Sequence, residues 1–178
     1  MSAVPSLTYA ELKALRPCED SLNRIAKLFG GARKWNGRKI SASEARSAGA
    51  TFDDIVWAAS ALARNDKDIE RRLRLWTADC AAHVLHIYEK TGGSNAPRKA
   101  IVAARQFARG EIDAAAGDAA WAAAWAAARS AAWAAAWAAA GYAAGAAARA
   151  AEEQWQFDQR IDRLEGEPED WPLPEPRK

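Results

Sequence analysis

Cysteine is scarce in this chain: Cys18 and Cys80 are the only two in 178 residues. Two cysteines cannot form the disulfide framework of a small secreted scaffold, so a reduced, cytoplasmic setting is expected. Between Met1 and Ala10 there is no charged stretch followed by an apolar run, hence no expected signal peptide. The chain also lacks a glycine-rich phosphate loop, a nucleophile elbow and paired carboxylates in apolar surroundings, and nothing in the sequence offers a base to either thiol. No enzymatic activity is expected, and no cofactor. No stretch alternates convincingly between apolar and polar residues, so strands are not expected either.

Strong charge of one sign is missing as well. The 25 Lys and Arg nearly balance the 23 Asp and Glu, for a net charge of +2. The distribution is uneven: residues 1–80 hold 14 cations against 10 acids, and residues 151–178 hold 4 against 9. That is well short of the basic footprint of a dedicated DNA binder, and nucleic acid is not the expected partner.

What the sequence has in abundance is alanine, with tryptophan every fourth residue through one tract. Trp121, Trp125, Trp133 and Trp137 share a register; Arg129 fills the slot between them, and Gly141 and Gly145 continue it. Alanine is the best helix former, so the tract reads as a long helix. A four-residue step advances about 40° beyond a full turn, so the row from Trp121 to Trp137 sweeps about 160°. Such a ridge suits the middle of a bundle, with several helices crossing it. The tryptophans are then core, together with Trp76 and Cys80. The other reading is an exposed aromatic surface that binds a partner or stacks a planar ligand, with Arg129 as its polar element. Ser130–Ala148 is long enough to span a bilayer, but it contains no Leu, Ile, Val or Phe and is bracketed by Arg129 and Arg149. Membrane insertion is therefore not expected. From Asp118 to Leu164 one helix would be about 70 Å long, so a kink, a break near Gly141–Gly145 or a projecting tip is expected.

Upstream, Thr8–Leu15 predicts a short helix. Leu22, Ile25, Ala26 and Phe29 mark an amphipathic one, ended by Gly30-Gly31. A basic loop, Arg33–Lys39, follows. Ser41-x-x-Glu44 and Thr51-x-x-Asp54 read as helix caps. Behind the second runs the stripe Phe52, Ile55, Val56, Ala59, Leu62. A helix from Asp66 or Asp68 to about Lys90 carries the stripe Ile69, Leu73, Trp76, Cys80, Val84, Ile87. Pro97 sits near the start of another, whose Ile101, Ala104 and Phe107 or Ala108 face inward until Gly110. The whole is all-α: a single-domain bundle over residues 7–164 around the Ala/Trp helix. Residues 165–178, acidic and rich in proline, read as a disordered tail.

Three candidate sites stand out. Asp79, His83 and His86 follow i, i+4, i+7 on one helix face. They could contribute to a metal site, but one helix rarely completes one and no second ligand cluster appears, so no metal is assigned. Arg33, Lys34, Trp35 and Arg38 could grip nucleic acid by charge and stacking, or form an ordinary solvated loop. Arg129 needs solvent, an acidic partner or a ligand.

The run Trp76-Thr-Ala-Asp-Cys-Ala-Ala-His-Val-Leu-His-Ile-Tyr-Glu89 is followed by Pro97-Arg-Lys-Ala-Ile-Val-Ala-Ala-Arg-Gln-Phe-Ala-Arg-Gly-Glu-Ile112 and then the Ala/Trp tract. That order resembles the Imm-5-like immunity proteins, and Pro17-Cys18 through Phe29-Gly30 is similar to their N-terminal part. The resemblance covers about residues 10–165. It implies an all-helical protein that neutralises a cognate toxin or effector by binding it, and it carries over no catalytic residue. Similar sequences in phages imply a counter-defence alternative, sequestration of a small anionic or nucleotide signalling ligand. A structural role with two Trp helices pairing in a homo-oligomer is the third reading.

Overall fold

Helices make up nearly all the regular structure of the chain in its computed structural model, which describes residues 4–90, 95–113, 115, 116, 119, 122, 142–166 and 168–175. In chain order these are β1 (Ser6–Leu7), α1 (Tyr9–Ala14), α2 (Glu19–Leu28), α3 (Ala32–Trp35), β2 (Ile40–Ser41), α4 (Ala42–Ser47), α5 (Phe52–Ala63), α6 (Lys67–Lys90), α7 (Ala96–Ala108) and α8 (Tyr142–Glu165). The fold is all-α apart from one two-stranded pairing. The chain falls into two compact units, one of Met1–Leu73 with Arg160–Glu167 and one of Arg74–Gln159 with Pro168–Lys178. Trp121, Trp125, Arg129, Trp133, Trp137 and Gly141 lie outside the described residues. Gly145 does not end a helix; α8 runs through it.

In the first unit, side-chain caps decide where α1, α4 and α5 begin. The hydroxyls of Thr8, Ser41 and Thr51 each accept the backbone N–H three residues on. The acids there, Glu11, Glu44 and Asp54, accept the N–H of the cap in return. These reciprocal boxes satisfy amides that a helix start leaves open. Asp66 starts α6, its Oδ1 accepting from the amides of Asp68 and Ile69 at 2.9 and 3.1 Å. α2 stops at Gly30-Gly31, where the Gly31 N–H reaches back to the Ala26 carbonyl at 2.8 Å. Gly31 holds φ 93° and ψ 163°, a conformation open to glycine almost alone.

The C-terminal end of α8 is held by Arg72, only 3 % exposed. Its Nη1 donates to the carbonyls of Leu164 and Gly166 at 2.9 and 3.0 Å, while its Nε donates to Asp68 Oδ2 at 2.8 Å. A cation there satisfies free carbonyls and meets the negative end of the helix dipole. Arg24 pairs with Asp54, joining α2 to α5.

Two expectations for this unit are corrected. Ser6 pairs with Ser41 and Leu7 with Ile40 in an antiparallel bridge; pieces two residues long show no alternation that a sequence could reveal. The basic loop starts as the single-turn helix α3, and Trp35 is buried at 3 % exposure, packed against Tyr9 and Phe29 at ring distances of 5.8 and 4.9 Å. Its ring is core and is not offered to a base for stacking. Arg33, Lys34 and Arg38 remain exposed, and Arg38 pairs with Glu44 at 3.1 Å.

In the second unit the core is made of Ala78, Ala81, Ala82 and Leu85 from α6 and Ile101 and Ala104 from α7, with Trp171 and Leu173 packed on it. The buried face of α6 is not the one its larger apolar residues predict. Trp76, Cys80 and Val84 are half-buried, whereas Leu75, Ala78, Asp79, Ala82 and Leu85 are buried; of the same stripe in the first unit, Ile69 is buried and Leu73 half-buried. Alanines let α7 approach closely on that face. Glu89 takes a two-pronged bond from Arg98, with Nε to Oε1 at 3.0 Å and Nη2 to Oε2 at 2.9 Å. Residues 168–175 contain no helix or strand, as their prolines require, yet they are not a free tail: Trp171 ties them to the core.

Gly31→Ala should cost about 1–3 kcal/mol of stability because no strain-free φ is available to alanine there; a urea midpoint equal to wild type would contradict this. A pH dependence follows from the caps. Glu11 and Glu44 are held below the ordinary carboxylate range, chiefly by the amides of Thr8 and Ser41. Burial alone would raise Asp54, but hydrogen bonds from Arg24 and Thr51 outweigh it and hold this group low too. The stability these carboxylates contribute is complete above roughly pH 5 and is lost as pH falls through their folded values. Melting temperatures should therefore drop in acid, and Asp54→Asn should make the drop shallower. An unchanged acid slope in that variant would count against Asp54 as a contributor.

Candidate functional site

The second unit places two opposite charges inside an alanine core. Asp79, 1 % exposed on α6, and Arg105, 7 % exposed on α7, pair at 2.8 Å through Oδ1 and Nη2. Each lies on the apolar face of its helix: Arg105 falls beside Ile101, Ala104 and Ala108, all buried. Two ions of this kind need good mutual geometry and further hydrogen bonds to offset desolvation. The C-terminal segment supplies them. The backbone N–H of Trp171 donates to Asp79 Oδ1 at 3.0 Å, and Arg105 Nη2 donates to the Trp171 carbonyl at 2.6 Å. Asp170 adds a carboxylate that pairs with Arg109 and lies 3.5 Å from Arg105 Nε.

Aromatic rings flank this polar centre. His83, one turn beyond Asp79, stacks on Trp155 of α8 with centroids 3.7 Å apart and planes 19° from parallel. The Trp171 indole meets both edge-on, at 5.1 Å from His83 and 4.9 Å from Trp155. His83 Nδ1 is 2.9 Å from Glu152 Oε2, without the alignment of a hydrogen bond. The structure thus joins Asp79, Arg105, Arg109, His83, Trp155 and residues 170–173 into one continuous site.

Of the residues expected from sequence, Asp79 and His83 belong to this site. His86 does not; it is exposed, with Nδ1 2.9 Å from the His83 carbonyl. Asp79 is committed to Arg105 and Trp171, and no group of three or more His, Cys, Asp and Glu suited to a metal occurs among the described residues. Trp76 is half-buried and donates Nε1–H to the Gln156 carbonyl at 3.0 Å. Cys80 is half-buried and Cys18 exposed, and neither is in a disulfide. Hydrogen bonding to Ser21 lowers the Cys18 thiol from its ordinary value. Arg105 and Trp171 are the residues of this site that sequence reading misses. An arginine at i+4 from Ile101 on an apolar face is the signal that could have found Arg105; nothing local marks Trp171.

The first unit holds a separate cavity of about 490 Å³, lined by residues that include Leu22, Ile25, Phe29, Trp35, Trp57 and Leu62. Its walls are mostly apolar. Arg24, the one arginine in its lining, is engaged by Asp54.

No described helix is long and apolar enough to cross a membrane. A family model described as "Imm-5 like putative immunity protein" matches residues 63–154, a stretch that contains Asp79, His83, Arg105 and Glu152. No curated protein and no solved structure matches the chain.

Removing one partner of the buried pair should be costly. Arg105→Met leaves Asp79 charged in an apolar setting and should lose about 3–5 kcal/mol, whereas Asp79→Leu with Arg105→Met should lose much less than the sum of the single changes. Additive losses in chemical denaturation would show that the two charges do not depend on each other.

Proposed function

Because the chain belongs to the Imm-5 like immunity family, we propose that it is a non-enzymatic binding protein that neutralises an effector or toxin by forming a stoichiometric complex with it. The family match over residues 63–154 carries this reading. The site adds physical support, for its rings and ion pairs interlock: His83, Trp155 and Trp171 pack on one another beside the Asp79–Arg105 and Asp170–Arg109 pairs. A binding protein gains affinity from a surface ordered before the partner arrives, since little further entropy is lost on association. Trp155 and Trp171, half-buried, and Arg109 beside them are of the residue types that dominate binding energy at protein interfaces.

Sequestration of a small anionic ligand gains nothing from the cavity of the first unit. That lining is apolar and its arginine is held by Asp54.

Co-expression with the product of the neighbouring gene tests the proposal. The two proteins should co-purify in fixed ratio, and growth that the neighbour inhibits should be restored. A neighbour that is toxic but neither bound nor neutralised would remove the immunity reading.

A further inference from the structure

We infer that the face formed by α6, α7 and α8 of the second unit is a groove for an extended peptide, filled in cis by residues 168–175, and that it fits a partner segment in which an acidic residue precedes an aromatic one. The contacts are those of peptide recognition. Asp79 and Arg105 hold the N–H and the carbonyl of a single residue, Trp171. Main-chain bonds of this kind do not depend on the side chain, so another extended strand of protein could make them. Side-chain choice comes from two neighbouring features. Trp155 and His83 offer ring faces and edges to the indole of Trp171, while Arg109 and Arg105 meet the carboxylate of Asp170.

The occupant behaves as a ligand would. Residues 168–175 have no helix or strand of their own, and Trp171 stays half-buried. Pro172 and Pro174 favour an extended backbone that loses little entropy on docking. Leu173 continues the contact along the alanine core. The segment brings acids to a face that presents arginines, so the charges are complementary. Asp79 and Arg105 also bond directly to each other, so the groove keeps its central pair when the segment leaves.

For the partner's identity this inference rests on the immunity reading, but the two can fail separately. The test uses the full chain and, as probe, a fluorescein-labelled peptide with the sequence of residues 168–178. In the Trp171→Ala chain the cis segment loses its anchor, and the peptide should bind, as read by fluorescence polarisation. Wild type should bind it about tenfold more weakly or less, because its groove is already occupied. Peptides carrying Trp171→Ala or Asp170→Asn should lose binding, and these changes leave the protein untouched. Should Trp171→Ala fail to fold, Asp170→Lys serves instead; it sets a cation against Arg105 and Arg109 and spares the indole. No binding by a folded, released chain would overturn the groove, and so would binding indifferent to Trp171→Ala in the peptide. Peptide binding without protection from the neighbouring toxin would leave the groove standing and remove only the immunity reading.

Discussion

The ion pair of Asp79 with Arg105 is the contact on which the second unit depends. The core around it is built largely from Ala78, Ala81, Ala82 and Ala104, and each alanine removes little apolar surface from water. Small side chains allow close helix approach but do little to fix register, since one alanine face slides over another at small cost. A buried aspartate held by Arg105 and by the Trp171 amide does fix it. The pair sets α6 against α7, and the bidentate bond of Arg98 to Glu89 repeats the constraint nearer the end of α6. The same two buried charges then orient Trp171, so the packing of the tail follows from the helix pair.

The first unit solves a different problem with similar means. Its helices are short, and short helices are unstable without end contacts. Thr8, Ser41 and Thr51 close their N-termini, and Arg72 closes the C-terminus of α8 from a buried position. Asp54 serves twice, as the acid of a capping box and as the partner of Arg24. Helix starts and helix packing are therefore coupled through one carboxylate.

Sequence reading recovers what depends on neighbours in the chain. The boxes at Ser41 and Thr51, the glycine stop after α2, the proline in the first turn of α7 and the inward face of Ile101, Ala104 and Ala108 all follow from local chemistry. It misplaces what depends on distant partners. Helical spacing on α6 selects the stripe through Trp76, Cys80 and Val84; the fold buries Asp79 and the small alanines because Arg105 and α7 lie opposite. Trp35, embedded among Arg33, Lys34 and Arg38, carries no local sign that Tyr9 and Phe29 will cover it. The acids and prolines of the tail suggest solvent, and composition cannot reveal that one tryptophan among them has a seat edge-on against the stacked His83 and Trp155. Asp79 and His83 were legible as candidates, but their roles were not, because both roles are set by residues far away in sequence.

Tethering also bounds what a competing partner would have to do. A segment joined to its groove by a short linker experiences an effective concentration on the order of millimolar. At that concentration a segment whose free affinity is only about 100 µM fills its groove roughly nine-tenths of the time. The contacts of residues 168–175 with Asp79, Arg105, Arg109, His83 and Trp155 can therefore be weak singly and still keep the groove closed. A protein partner escapes this disadvantage if its segment arrives as part of a larger interface, since contacts elsewhere raise its own effective concentration at the groove. On that arithmetic the tail excludes loose peptides and yields to a partner that engages a wider surface, which turns a modest local affinity into selectivity.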